Sequence, residues 1–490
     1  MKDIKKLLSM LDIKARPLVK IIISIIIISV TNYANPFITQ KLIDEGMIDK
    51  DLSKIIQFSS FIILLTVISG VFHYIKENNR LKIYNDSYLH LEKMSLSHLS
   101  KIKVEYFKET NVTGLLKMIE DDIAIMTSVV SNDTLDVVSS FIAAIAGGMA
   151  LFKIDYHLGL AILAFIPVDY ILTRLLSKKN YKIIVDKNTK TKEYNEHFGE
   201  SFNGIEEVRI LGMQHRIQKN LLGIIKEILK LTKKQNILRC VMQQSQFLLI
   251  EIIIAVLYVI SGFLLVKDQI TIGGIIAFQT YALMLVDPIE SAIDMLFEIS
   301  SLQPSIQRFV NFLKIEEEES GCEREIEMQE IRFVNTSFSY NNQSEQLFDS
   351  INLSIKRGDK IIITGNNGAG KTTLIKLLLR FYKPQKGQIL INNREIEDFD
   401  LEYYRSIFAV VSQNIYLFNT TIKNNISVNN DCSEEDLMKI IQLVNLKEFI
   451  DEKGLDYNVG VNGSKLSGGQ IQKNSISKSN STRQTNNYIR

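Results

Sequence analysis

Apolar residues in this chain come in blocks. Six blocks are long enough to cross a bilayer as helices: approximately Pro17–Phe37, Ile55–Tyr74, Leu135–Phe152, Leu158–Leu176, Phe247–Val266 and Ile272–Ile289. A hydrocarbon core of about 30 Å takes roughly 20 helical residues. The third and fourth blocks are separated only by "KIDYH", a tight hairpin. So many long, mostly apolar blocks before Glu290 argue for membrane spans over the buried helices of a soluble core.

The polar stretches between the blocks are unequal. Those after the first, third and fifth are short. Those after the second (Lys76–Asp133) and fourth (Ser177–Arg239) are long and rich in Lys and Arg, and they read as helices extending the spans into the cytosol. The arm before the first block is basic too: Lys2, Lys5, Lys6, Lys14, Arg16 and Lys20. The excess of positive charge sets orientation. It places both termini and both long loops in the cytoplasm of a multi-pass protein of the plasma membrane. The apolar run Ile21–Val30 is followed by "TNYANPF", with no small-x-small cleavage pattern, so it reads as a first span and not as a signal peptide.

After the sixth block the pattern changes. "RFVNFLKIEEEESGCEREIE" (Arg308 to Glu327) is a charged connector, and its acidic run Glu316–Glu319 reads as a solvated linker. From Ile331, short β-rich runs alternate with helical ones, the pattern of an α/β domain. The expected organisation is a six-helix membrane domain over residues 1–310, a linker over 311–327, a partial nucleotide-binding domain over 328–473 and an aberrant tail over 474–490. The 490 residues carry a formal net charge of +2, which gives no reason to expect nucleic acid as a partner. Cys240, Cys322 and Cys432 lie too far apart for a CxxC or zinc spacing and read as isolated thiols.

One motif carries chemistry by itself. "GNNGAGKTT" (Gly365–Thr373) fits the phosphate-loop pattern between an apolar run, Lys360–Thr364, read as a strand, and a helix over Thr372–Arg380. Gly365, Gly368 and Gly370 let backbone N–H groups of Asn366, Asn367 and Ala369 wrap phosphates. The helix N-terminus adds its positive dipole end. Lys371 reaches the β- and γ-phosphates, the Thr372 hydroxyl ligates Mg2+, and Thr373 follows in the motif. The cofactors expected are ATP and Mg2+.

These features together resemble a half-size ABC (ATP-binding cassette) exporter, with six spans fused to one α/β P-loop nucleotide-binding domain. The resemblance runs from the N-terminus to Gln470. "YFKETNVTGLLKMIEDDIAIM" (Tyr106–Met126) resembles the first cytoplasmic loop of these exporters, whose short transverse helix transmits force, and "ESFNGIEEVRILG" (Glu200–Gly212) resembles the end of the second. The resemblance implies that Tyr340 of "FSY" stacks on adenine. It implies that Gln413, in "VVSQNIYLFNTTIKNNI", touches Mg2+ and the attacking water. In "LSGGQ" (Leu466, Ser467, Gly468, Gly469, Gln470), Ser467 and Gly469 bind the γ-phosphate held on a partner's phosphate loop, because two such domains sandwich ATP head to tail. The implied partner is a second half-transporter, identical or different, within membrane lipid.

The family pattern continues past the signature to a strand ending in Asp-Glu and to a later histidine. Here no Asp or Glu follows Gln470, and the six histidines (His73, His90, His98, His157, His197 and His215) all precede the nucleotide domain. The tail "NSISKSNSTRQTNNYIR" has no apolar period and reads as disordered. AT-leaning codons for it, read one base later, spell "IALARAILRDRQIIILD", a helix and an apolar strand ending in Asp. A one-frame shift near Lys473 is therefore the expected origin of the tail. Three functions stay open: an ATP-driven exporter subunit that is hydrolysis-deficient as written, a binding-only subunit that lends its signature to a full-length partner, and a non-functional remnant. The substrate is not legible. Asp169 and Arg174, in the fourth block, are the charges that bear on it, as polar positions in the span or side chains reaching its cytoplasmic end.

Overall fold

The computed structural model describes residues 7, 9–110, 112–131, 134–154, 156–340, 346–412, 415–427 and 434–485. It separates into two compact units, Met1–Leu96 with Leu116–Lys314, and Ser97–Leu115 with Ile315–Arg490. The short segment Ser97–Leu115 thus belongs with the C-terminal part of the chain.

The first unit is built from helices. They are α1 (Ala15–Lys41), α2 (Leu52–Leu99), α3 (Val104–Glu109), α4 (Val112–Ser131), α5 (Thr134–Ile154), α6 (Tyr156–Asn203), α7 (Ile205–Ile210), α8 (Gln214–Val266) and α9 (Ile272–Phe312), of which α3 lies in the second unit. Each apolar block falls within one helix: α1, α2, α5, α6, α8 and α9 in order. Among the described residues, Ala15–Ile48, Leu52–Leu99 and Gln214–Val266 are long and apolar enough to cross a membrane, and Ser140–Phe152 and Ile272–Leu285 are shorter apolar stretches. Helices α2 and α6 have 48 residues each and α8 has 53. At 1.5 Å per residue they run roughly 70–80 Å, more than twice a bilayer core. The long polar loops are therefore helical extensions, as expected.

Two contacts fix this unit. Lys190 of α6 lies 2.9 Å from both Glu193 and Glu227, tying α6 to α8. At the start of α9, Thr271 caps the helix by accepting from the Gly274 N–H at 3.0 Å. The Thr271 hydroxyl and the Gly273 N–H in turn donate to the Asp44 carboxylate at 2.6 and 2.8 Å. A carboxylate at a helix N-terminus is stabilised by the unpaired N–H groups there. Gly273 is needed for this approach, since a Cβ would sit 2.5 Å from the Gln40 carbonyl.

The second unit has a sheet in the order β2-β1-β3-β4, formed by β1 (Glu330–Phe338), β2 (Phe348–Lys356), β3 (Lys386–Ile391) and β4 (Arg394–Glu395). All three pairings are antiparallel, and central Phe333 faces Leu353 on one side and Ile389 on the other. Ile331, Phe333, Ile389 and Ile391 join Leu377 of α10 (Lys371–Leu378) and Tyr404 of α11 (Leu401–Ser406) in one buried cluster. A separate cluster gathers Leu417, Ile426, Leu437, Ile440, Ile441 and Val459. Around it lie α12 (Ile422–Ile426), α13 (Glu434–Leu443), α14 (Lys447–Lys453) and α15 (Gly468–Thr485).

Three expectations are corrected here. Lys360–Thr364 forms no strand, and Ile361, Ile362 and Ile363 are 44, 87 and 44 % exposed. β-branched residues favour strands only where a neighbour pairs with them, and no neighbouring strand meets this segment among the described residues. The tail is helical to Thr485, because α15 starts inside the signature and continues through Lys473. Its inner face packs partly buried Ile471 and Ile476 on the helical cluster, together with buried Asn474 and Ser477. The acidic run is more than a solvated linker: Glu316 and Glu319 stay 78 and 79 % exposed, but the run is bonded on both sides, to residues 98–103 and to Arg405 and Lys383.

Candidate functional site

The phosphate-loop sequence folds as glycine dictates. Gly365, Gly368 and Gly370 have φ of 153°, 86° and 85°. Gly370 is the N-cap of α10 in the left-handed conformation. A Cβ there would also fall 2.5 Å from the Phe348 ring, so both conformation and space demand glycine. Asn366, Asn367, Gly368 and Ala369 are exposed, and their backbone rings the N-terminus of α10. Lys371 folds over the loop and donates to the carbonyls of Gly365 and Asn366 at 2.7 and 2.8 Å. An ammonium above backbone N–H groups at a helix N-terminus is the chemistry that holds phosphate oxygens. The donor set therefore fits a nucleotide polyphosphate. Thr372 is exposed beside the loop.

Two neighbours differ in role. Thr373 is buried, and its hydroxyl is hydrogen-bonded to Tyr340 at 2.7 Å. Tyr340 is packed edge-on against Phe338 and Tyr382, with centroids 5.0 and 5.1 Å apart. The structure thus brings Tyr340 to the phosphate-loop helix. Gln413 lies outside the described residues. The segment after it is held by a residue that sequence reasoning missed: buried Asn425 accepts from the Phe418 N–H at 2.9 Å and donates to its carbonyl at 2.9 Å. The available signal was an Asn beside Ile426 in the short helix Ile422–Ile426.

The signature segment is a helix start. Ser467 and Gln470 form a capping box: the Gln470 side chain accepts from the Ser467 N–H at 2.8 Å, and the Ser467 hydroxyl from the Gln470 N–H at 3.4 Å. Leu466 anchors it in the helical cluster. Gly468 and Gly469 follow in the first turn of α15 with helical dihedrals, and a Cβ on either would meet nothing within 4 Å. Glycine costs a helix up to about 1 kcal/mol relative to alanine. Among the described residues, nothing requires it at either position.

Comparison with known proteins agrees with this geometry. Residues 18–289 match the family of the ABC transporter transmembrane region, and residues 348–485 match the ABC transporter family. The chain belongs to the ABC transporter family. It joins the transmembrane and ATP-binding parts of an exporter in one polypeptide. It is 26 % identical over 460 residues to ATP-dependent lipid A-core flippase 1 of Colwellia psychrerythraea, covering 89 % of this chain and 75 % of that one. It is also 26 % identical over 473 residues to the ATP-dependent lipid A-core flippase of Desulfotalea psychrophila, covering 94 and 82 %. Its fold matches a bacterial Atm1-family ABC exporter with ATP bound, at a TM-score of 0.79 and 19 % identity over 95 % of this chain and 84 % of that one.

Proposed function

We propose that this chain is one half of an ATP-driven exporter. Its six apolar helices cross the plasma membrane with both termini in the cytoplasm, and it acts as a dimer with an identical or related chain. The relatives named as lipid A-core flippases favour an amphipathic lipid as substrate. Residues Gly365–Thr373 bind the phosphates of MgATP, with Thr372 and Gln413 toward the metal and Tyr340 toward the base.

The observation that carries the reading is the pairing of two half-sites in one chain. The phosphate loop is exposed, with Lys371 folded onto the carbonyls of Gly365 and Asn366. Ser467–Gln470 presents a capped helix start whose two glycines clear space for something from outside the chain. Two copies facing head to tail would complete each site. Bound ATP supplies the phosphate charge on which the two halves close. The chain's own residues bind it, orient it and exclude water from it.

We infer that this chain binds nucleotide at Gly365–Thr373 and lends Ser467–Gln470 to a partner's ATP site, with turnover a property of the mixed complex. The test is MgATP binding and turnover by the purified chain in lipid nanodiscs, alone and with a full-length relative. Binding abolished by Lys371→Ala, with turnover only in the mixed complex, supports the reading. Magnesium-dependent turnover by this chain alone, abolished by Lys371→Ala, refutes the division of labour. Failure of the wild type to bind nucleotide refutes the site.

A further inference from the structure

We propose that the ion pair between Arg405 and Glu318 reports nucleotide occupancy of the phosphate loop to residues 97–103, the last turn of α2 and the loop after it. This rests on the nucleotide reading of that loop.

The connection is continuous within the second unit. Helix α10 carries the phosphate loop at its N-terminus and is only 8 residues long. At its other end, the carbonyls of Leu379 and Arg380 accept from Arg405 Nε and Nη2, both at 3.1 Å. The same guanidinium lies 4.7 Å from the centroid of the Phe381 ring. Its two terminal nitrogens grip the Glu318 carboxylate at 2.7 Å each. The pair is mostly shielded, with side chains 25 and 14 % exposed. A planar fork on a carboxylate fixes direction as well as distance, so a movement of α10 is passed on without slack.

On the far side, the Glu318 N–H donates to the Lys101 carbonyl at 2.7 Å. Its neighbours repeat the attachment. Glu317 is bridged to Ile102 as a single β pair and lies 2.7 Å from His98 Nδ1, and Glu316 is paired with Lys103. The acidic run is thus a clasp, with the Glu318 and Glu319 side chains turned to Arg405 and Lys383 and those of Glu316 and Glu317 turned to Lys103 and His98; the Glu319 carbonyl also accepts from Arg380 Nη2 at 2.8 Å. A merely structural staple would hold the fold equally well in any nucleotide state. Coupling requires that one variant separate binding from response.

The experiment is hydrogen exchange on the full chain in lipid nanodiscs, with and without MgATP, read at residues 97–103. Nucleotide affinity is measured in parallel with a fluorescent ATP analogue. Wild type should show exchange in 97–103 changing by about fivefold or more on binding, equivalent to about 1 kcal/mol. Glu318→Gln should bind the analogue within about threefold of wild type while this response falls below about twofold. Arg405→Lys, which keeps the charge and loses the fork, should behave alike and serves if Glu318→Gln does not fold. Lys383→Gln, which removes an exposed pair to Glu319, should leave the response intact. A wild type that binds without response, or variants that keep the response, overturns the proposal. Loss of binding and response together in both variants shows a structural staple and overturns it as well. Absence of binding by wild type, with Lys371→Ala indistinguishable from it, overturns the nucleotide reading and this proposal with it.

Discussion

Asn474 is the clearest local misfit in the chain. It is 1 % exposed on the inner face of α15, and its buried Oδ1 has no hydrogen-bond partner among the described residues. Ser477, one turn on, is fully buried, and its hydroxyl donates to the Lys473 carbonyl at 3.0 Å. A buried acceptor left unpaired costs about 1–3 kcal/mol. The double change Asn474→Ile, Ser477→Ala removes that cost and adds apolar area. The larger Ile side chain returns part of the gain through crowding, about 1 kcal/mol or more. The net expectation is a gain of about 1–2 kcal/mol in the local stability of the helical cluster, a factor of roughly 5–30 in opening equilibrium. Hydrogen exchange of α13 and α15 in the full chain reads it directly. The one-base-shifted reading of the tail independently puts Ile and Ala at these two positions. Unchanged or faster exchange in the double variant would refute the misfit and show that this environment is built for the amide.

Other consequences follow from single contacts. Lys371→Ala removes a charged donor worth about 1.5–3 kcal/mol, so nucleotide affinity should fall roughly 10- to 100-fold in a binding titration. Gly370→Ala should destabilise the second unit by about 2–4 kcal/mol in an unfolding measurement, from the left-handed φ together with the clash on Phe348. Tyr340→Phe strands the buried Thr373 hydroxyl and should cost about 1–3 kcal/mol of stability while leaving the ring. If that ring stacks on the base, analogue affinity should drop for Tyr340→Ala and stay for Tyr340→Phe. The Lys103 ammonium holds the Glu316 carboxyl below its usual 4.5. A lowered folded value means the contribution is present above 4.5 and lost as pH falls through that lower value. Exchange at the Lys103 amide should therefore quicken only on strong acidification.

Much of this was legible because it is periodic or local. Apolar length alone located the helices, since a spanning helix satisfies its own backbone and needs no knowledge of its partners. The phosphate loop was legible because its glycines are dictated by φ. What was not legible depends on partners distant in sequence. Nothing in "EEEE" says that Glu318 will meet Arg405, 87 residues on, and an isolated charge run is most simply solvated. The tail failed for the opposite reason. Its residues have poor helical periodicity, but α15 is nucleated by the Ser467–Gln470 box and carried forward by Ile471 and Ile476. Local capping and packing overrode composition.

The apolar run before the phosphate loop gives the sharpest test of how the nucleotide unit is built. Ile361–Ile363 has the composition of a buried strand and the exposure of a loop, with Ile362 87 % exposed. Val410 and Val411, just before Gln413, repeat the mismatch at 45 and 48 %. The first of these runs leads directly into Gly365, so its order decides how well the phosphate loop is held. An exposed Ile contributes little, and Ile362→Ala should then change stability by no more than about 0.5 kcal/mol. An Ile buried between paired strands would cost about 2–5 kcal/mol on the same change. The two ranges do not overlap, so one unfolding titration of Ile362→Ala against wild type separates them. A small effect means that the run is open in this polypeptide and that a strand supplied to it should raise nucleotide affinity by ordering the loop. A large effect means that the run is paired in solution and refutes its openness.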